Sequence, residues 1–303
     1  LSPGYVALRE HAAWLDLSAR GKIRVTGEDR ARLLHAMTTN QVEKLQPGEG
    51  CYAFFLSAQG RILADMNLLC FEDHFLLDTE PETRQKIYEH LDRFIIADDV
   101  TLEDVTDRTA TIALEGPEAA AVLEKMGGAP LPSVPYSFTT QAEQAVARLN
   151  STGSDGFFIF LPALDKNALI SLLGVSPAAP AEARIVRIEN GRPRYGEEIT
   201  ERYLVQETGQ MEAVSFSKGC YLGQEIVERV RSRAQIHRVL RRIEIASRDV
   251  PAPGTKLKVG DADAAEIASA VFSPALGRVV ALGYVRTQFS EPGTKLGADA
   301  TVS

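Results

Sequence analysis

The pattern of this 303-residue chain changes character near residue 236, and that change limits the folds open to it. Before it, strand-like hairpins and helix-like stretches are mixed rather than strictly alternating, which predicts an α+β body over 1–236. After it, short β-like runs are separated by glycine and proline, which predicts a small C-terminal β-barrel over 237–303. Pro-Gly-Thr-Lys-Leu occurs at 253–257 and again at 292–296, and reads as two similar turn-to-strand entries rather than an internal repeat.

Within the body, Ile23 and Val25 alternate in a strand over 20–27, and a helix is predicted from Glu28 to Leu45, stopped by Pro47-Gly48. Tyr52 to Leu56, the turn Ser57-Ala58-Gln59-Gly60, and Arg61 to Phe71 read as a hairpin. A strand over Phe75 to Asp78 and a helix opened by Pro81 follow, because proline is tolerated in a first helical turn. Further strands are expected at Thr109 to Leu114, Val146 to Leu149 and Gly156 to Leu161, with a helix from Gly116-Pro117 to Lys125. The Pro/Ala-rich stretch Ser176 to Ala183 is the expected linker between two intertwined subdomains.

Composition excludes several classes. An apolar fraction of 45% and a charged fraction of 24% are those of a soluble globular protein. No apolar run approaches the ~20 residues of a membrane helix. A net charge of −8 argues against nucleic acid as a partner. Charge is uneven, however: Arg229, Arg231, Arg233, Arg238, Arg241 and Arg242, with His237, run without an acidic residue between them. Such a run is either a solvated face or a site for a carboxylate-bearing or phosphate-bearing small molecule. Cys51, Cys70 and Cys220 form no CxxC pair and no zinc spacing, so no metal site is expected and a reducing compartment is. Cys51 and Cys70 read as structural.

The densest polar string is Lys218-Gly219-Cys220-Tyr221-Leu222-Gly223-Gln224-Glu225, followed by Arg229. Its glycines suggest a shaped loop, and Lys218 and Arg229 would favour the Cys220 thiolate if they lay beside it. A second constellation, Arg187-Ile188-Glu189-Asn190-Gly191-Arg192-Pro193-Arg194-Tyr195-Gly196-Glu197-Glu198, lies thirty residues upstream.

The first string resembles the signature of the YgfZ-type folate-binding proteins, relatives of the glycine-cleavage aminomethyltransferase (T-protein) that assist iron–sulfur cluster assembly or repair. The second is similar to a pattern that both folate-dependent groups share. The resemblance implies an aminomethyltransferase-like body around a central channel, with tetrahydrofolate as cofactor. It implies Cys220 as the functional thiol, assisted by Lys218. It implies Glu189 as the carboxylate that accepts the pterin's paired donors, with Tyr195 against the ring and Arg229 toward the glutamyl tail. Asn40 and Asp65 fall in further family-like segments: Asn40 is either a ligand contact or a polar helix terminus, and Asp65 either lines the channel or caps a hairpin. Where the transferases carry two adjacent aspartates this chain has Ala64-Asp65, which argues against classical aminomethyl transfer. The expected function is maturation or repair of iron–sulfur enzymes; folate-dependent aminomethyl transfer or demethylation is the alternative. Iron–sulfur assembly proteins or client enzymes are the expected partners, and folate-dependent one-carbon or thiol chemistry the expected reaction type. The expected compartment is the cytoplasm, or the mitochondrial matrix if a transit peptide preceded Leu1.

Overall fold

The computed structural model describes residues 1–233 and 236–303, with the side chain of Arg233 also outside the description. Among the described residues, three five-stranded antiparallel sheets carry the fold. The first runs in the order Gly50–Leu56, Ile62–Cys70, Phe75–Thr79, Gly21–Thr26, Thr101–Asp104. The second runs Ala13–Asp16, Thr109–Glu115, Gly156–Pro162, Gln144–Ala147, Phe138–Gln141. These two form the body, and helices cover them.

Both sheets are buried on two faces, and the sequence explains how. In Gly156–Pro162, Phe158 and Phe160 enter the layer between the sheets, while Phe157, Ile159 and Leu161 pack outward under helices Ala119–Met126 and Lys166–Leu173. That two-sided burial is why the strand reads as a continuous apolar run. In Ile62–Cys70, Ala64, Met66, Leu68 and Cys70 pack beneath helix Arg30–Met37. Alternation turns Asp65, Asn67 and Leu69 the other way, toward the second sheet.

Two expectations are corrected. The helix predicted to reach Leu45 ends at Met37, where Thr38 turns extended (φ −119°, ψ 159°) and bridges Phe55. The Thr39 amide then donates to the Phe54 carbonyl, so sheet pairing takes over from helical pairing. The stretch 176–183 is no linker. The Trp14 amide donates to Ser176, the Ala178 amide donates back to Trp14, and helix Pro180–Glu189 starts inside the stretch.

The third sheet, in the order Lys256–Val259, Ala262–Ser273, Arg278–Arg286, Arg238–Ile245, Ala300–Val302, is a curled half-barrel around Ile243, Ile267, Val285 and Val302. A bulge between Ile267 and Ser269 bends its long hairpin. The two Pro-Gly-Thr-Lys-Leu segments make the same turn. Gly254 and Gly293 both sit at φ +86°, and Thr255 and Thr294 each donate to the carbonyl three residues back. Among the described residues no helix is long and apolar enough to cross a membrane.

Candidate functional site

A cavity of about 550 Å³ opens between the two body sheets. Strand Ala13–Asp16 and Phe158 form one wall, Tyr52 and Asp65 the other, and the segment 178–197 closes it over. Trp14, Phe158 and Tyr52 give it aromatic surfaces. Its rim at Asn150 to Thr152 is pinned from below by Glu115, whose buried carboxylate accepts from the amides of Ser151 and Thr152 (2.7 and 2.9 Å) and from both their hydroxyls. Burial pushes the Glu115 pKa up, and those four hydrogen bonds oppose it.

Most charges around the cavity cancel in pairs. Arg20 forks onto Asp78 through two bonds of 2.9 Å and also meets Glu80. Arg187 holds Glu198 (2.8 Å) and Glu197 (2.7 Å), and Arg184 shares Glu197. Arg194 bridges Glu80 and Glu82.

Asp65 is the carboxylate left over. It is buried, lacks a cationic partner within ion-pair distance among the described residues, and accepts one bond from the Tyr52 phenol at 2.6 Å. Burial, and then the neighbouring Glu80 charge, push its pKa from 3.8 to about 6; the Tyr52 bond, Arg20 and Arg192 act against the shift. A carboxyl group titrating there can hold or release a proton near neutrality, as general acid–base work requires.

The pattern read as evidence against transfer chemistry is explained by the pleat. Ala64, where the transferase pattern has the first aspartate of its pair, is fully buried against the helix-side core with Leu34 and Phe55. A carboxylate there would face away from the cavity. The cavity-facing member of the pair, Asp65, is present.

The other residues to which the resemblance assigns a role lie outside the cavity lining. Glu189 is the end of helix Pro180–Glu189, and its carboxylate is already engaged by Tyr5 (2.7 Å), Arg9 and Ser273. It ties the N-terminal helix Pro3–Glu10 to the half-barrel. Neither Arg187 nor Arg192, the ion-pair partners its sequence neighbourhood offers, engages it. Tyr195 is buried among Ile62, Ile199 and Val205. Asn40 is consumed by the carbonyls of Tyr52 and Glu212, both at 2.8 Å.

The Lys218 ammonium is buried and donates to the carbonyls of His35, Thr38 and Asn40 (2.5, 2.6 and 2.7 Å), capping the end of helix Arg30–Met37. Burial lowers its pKa to about 8, and its charge acts on Cys51. Cys220 is exposed on the outer surface. The loop's shape has a local cause: Gly223, at φ +84°, lies where a Cβ would sit 2.7 Å from the Ser57 carbonyl, so the loop is pressed onto the hairpin turn.

Among the described residues, the arginine run does not converge on an anion. Arg229 pairs with Glu225 and Arg231 with Glu228 on helix Gln224–Arg233, Arg238 meets Glu207, Arg241 meets the Ser290 carbonyl, and Arg242 meets Glu244 and the Glu189 carbonyl. The side chain of Arg233 lies outside the described residues.

Sequence reasoning missed Tyr52, Arg20 and Trp14. Arg20 and Asp78 are 58 positions apart and carry no local signal. Arg192 stood inside the Arg187–Glu198 constellation without a role of its own.

Residues 4–218 match the GCVT N-terminal domain and residues 238–301 the glycine cleavage T-protein C-terminal barrel domain. An aminomethyltransferase of Rubrobacter xylanophilus is 31% identical, over 92% of this chain and 77% of that protein. One of Streptomyces avermitilis is 29% identical, over 96% of this chain and 82% of its own length. The crystal structure of the glycine cleavage system aminomethyltransferase T from Bartonella henselae shares the fold, with a TM-score of 0.89 at 23% identity, over 99% of this chain and 86% of that one. With a family match spanning nearly the whole length and a cavity enclosed by the body it describes, this chain belongs to the glycine cleavage T-protein (GCVT) family.

Proposed function

We propose that the chain binds a reduced folate in the cavity between the body sheets, and that Asp65 handles a proton at a nitrogen of the bound molecule. The observation that carries this reading is the uncommitted, buried Asp65 carboxyl, poised near neutrality inside a cavity with aromatic walls. The residues present fit such a ligand: Trp14, Phe158 and Tyr52 offer flat surfaces, and Asp65 accepts from or donates to a ring nitrogen. Tetrahydrofolate, when bound, supplies a nitrogen able to take up a one-carbon unit. Tyr52 orients the Asp65 carboxyl, and the Arg20–Asp78–Asn67 cluster beside it fixes the strand that presents it.

The biological role we propose is maturation or repair of iron–sulfur enzymes, in which the exposed Cys220 meets a client or assembly protein while folate occupies the separate cavity. A second reading, aminomethyl transfer itself, is compatible with the substitution at Ala64. Because that substitution faces the core, it leaves the cavity carboxylate intact.

Titration with tetrahydrofolate tests the common part. The expected result is saturable binding with a change in Trp14 emission, since Trp14 is the only tryptophan in the sequence and lines the cavity. No binding overturns the folate reading, and binding without a Trp14 response overturns its placement. Turnover of an aminomethyl donor with tetrahydrofolate, lost about a hundred-fold or more in Asp65→Asn, would select the transferase reading. Iron–sulfur enzyme activity in cells that depends on Cys220, abolished by Cys220→Ser without turnover in vitro, would select the maturation reading.

A further inference from the structure

We infer that Arg192 is an anion-binding residue of the cavity, and that it receives a carboxylate of the bound ligand. The inference rests on charge accounting around one enclosed space. Each of the other four cavity guanidiniums, Arg20, Arg184, Arg187 and Arg194, lies against at least one protein carboxylate. Arg192 has none within ion-pair distance among the described residues, although it lines the same cavity. It lies over the Tyr52 ring, with its guanidinium carbon 5.8 Å from the centroid, and beside the Tyr136 phenol. One ring face and one phenol oxygen steady the cation but do not satisfy five N–H donors.

Geometry gives the site its class of ligand. A guanidinium held between a tyrosine ring and a second tyrosine's phenol presents a planar fork, which matches a carboxylate through two parallel hydrogen bonds. Pro193 follows directly and restricts the backbone of Arg192, so the fork is carried by a stiff segment rather than a loose loop. That segment is anchored at its start, where the Arg192 carbonyl accepts from Arg187 at 2.7 Å. Tyr52 joins the two uncommitted groups: its ring carries Arg192 and its hydroxyl donates to Asp65. The cavity is therefore bipolar, with a proton-handling carboxyl on one side of Tyr52 and an anion receptor on the other. A ligand matched to it has a protonatable nitrogen and a carboxylate on one molecule, or a nitrogen on one molecule and a carboxylate on a second bound beside it. The first source is the glutamyl part of a folate. The second is a small carboxylate-bearing amine acting as one-carbon donor or acceptor.

This deepens the folate reading and rests on it for the first source only. The experiment titrates four proteins, the parent, Arg192→Met, Arg192→Lys and Asp65→Asn, with three probes. The probes are tetrahydrofolate, a tetrahydropteridine lacking the glutamyl part, and glycine, with Trp14 emission and heat as readouts. If the folate carboxylate sits on Arg192, Arg192→Met weakens tetrahydrofolate at least ten-fold, leaves the truncated pteridine unchanged, and Arg192→Lys recovers part of the loss. If a second molecule supplies the carboxylate, tetrahydrofolate is unaffected and saturable glycine binding to the folate-loaded parent is lost in Arg192→Met. Unfolding midpoints of the variants separate either result from a merely structural role. Unchanged affinity of Arg192→Met for both carboxylate probes overturns the inference. Absence of any pteridine binding to the parent overturns the folate reading instead, and the glycine titration of the unloaded protein then decides Arg192 alone.

Discussion

The loop at 218–229 and the wall of the cavity are both crowded with charge, yet they use it oppositely. In the loop, charge is spent on architecture: Lys218 caps three carbonyls, Arg229 reaches one turn back to Glu225, and Gly223 lets the backbone lie on the hairpin. In the wall, a larger set of charges cancels in pairs and leaves Asp65 and Arg192 facing open space. A dense polar motif thus marks where a backbone must be fixed, and a residue left uncommitted by its neighbours marks where a ligand can be engaged. The loop's remaining chemical resource is the exposed thiol of Cys220.

Lys218→Met is the severest test of that contrast. It removes one buried ammonium and leaves three carbonyls without their donor, so unfolding in urea should show a loss of roughly 3–5 kcal/mol. A stable Lys218→Met protein with altered thiol reactivity would instead make the lysine part of the chemistry. Glu189→Ala comes next. It strands Tyr5, Arg9 and Ser273 at the junction of the N-terminal helix and the half-barrel, with an expected loss of about 3 kcal/mol. Folate affinity per folded molecule should stay at the parent value. A specific loss of affinity without a loss of stability would move the pterin site to Glu189.

Asp65→Asn should act with the opposite sign. The folded carboxyl titrates at about 6, above its ordinary 3.8. Between those values the folded state holds a proton that the unfolded chain has released, so this group's contribution falls as pH rises through that window. Below the window its contribution is fully present; above it a constant penalty remains. Replacing Asp65 by Asn should therefore stabilise the protein by about 2–3 kcal/mol at pH 7 and by little at pH 4. Denaturation of both proteins at the two pH values measures it. An equal effect at both would mean that Asp65 is ionised and satisfied like its neighbours.

The architecture was legible where a local pattern reports a local structure. The hairpin around Ser57-Ala58-Gln59-Gly60, the strand at Gly156–Pro162 and the change to β-structure before Arg238 all follow from periodicity and turn residues. The helix end at Met37 was not legible, because the competing pairing partners, Phe54 and Phe55, lie elsewhere in the chain. The site divides the same way. Asp65 read from sequence as either a channel residue or a hairpin cap, and the fold places it on the cavity wall. Glu189 carried the same kind of signal, yet its three partners lie 184, 180 and 84 residues away and take up its carboxylate. Which charges are cancelled is a property of the folded chain, and one sequence without its contacts does not contain it.

The smallest expected effect is at Arg229. Its bond to Glu225 follows the favourable order along a helix, acid four residues before base, but the two side chains are 51% and 82% exposed. Water screens such a pair, and holding two long side chains in one geometry costs rotamer freedom. Arg229→Ala should therefore change stability by no more than about 0.5 kcal/mol, shrinking further in high salt, and leave tetrahydrofolate affinity at the parent value. Loss of affinity in this variant would carry the ligand out of the cavity and onto the loop, and the contrast between a structural loop and an uncommitted wall would then be reversed.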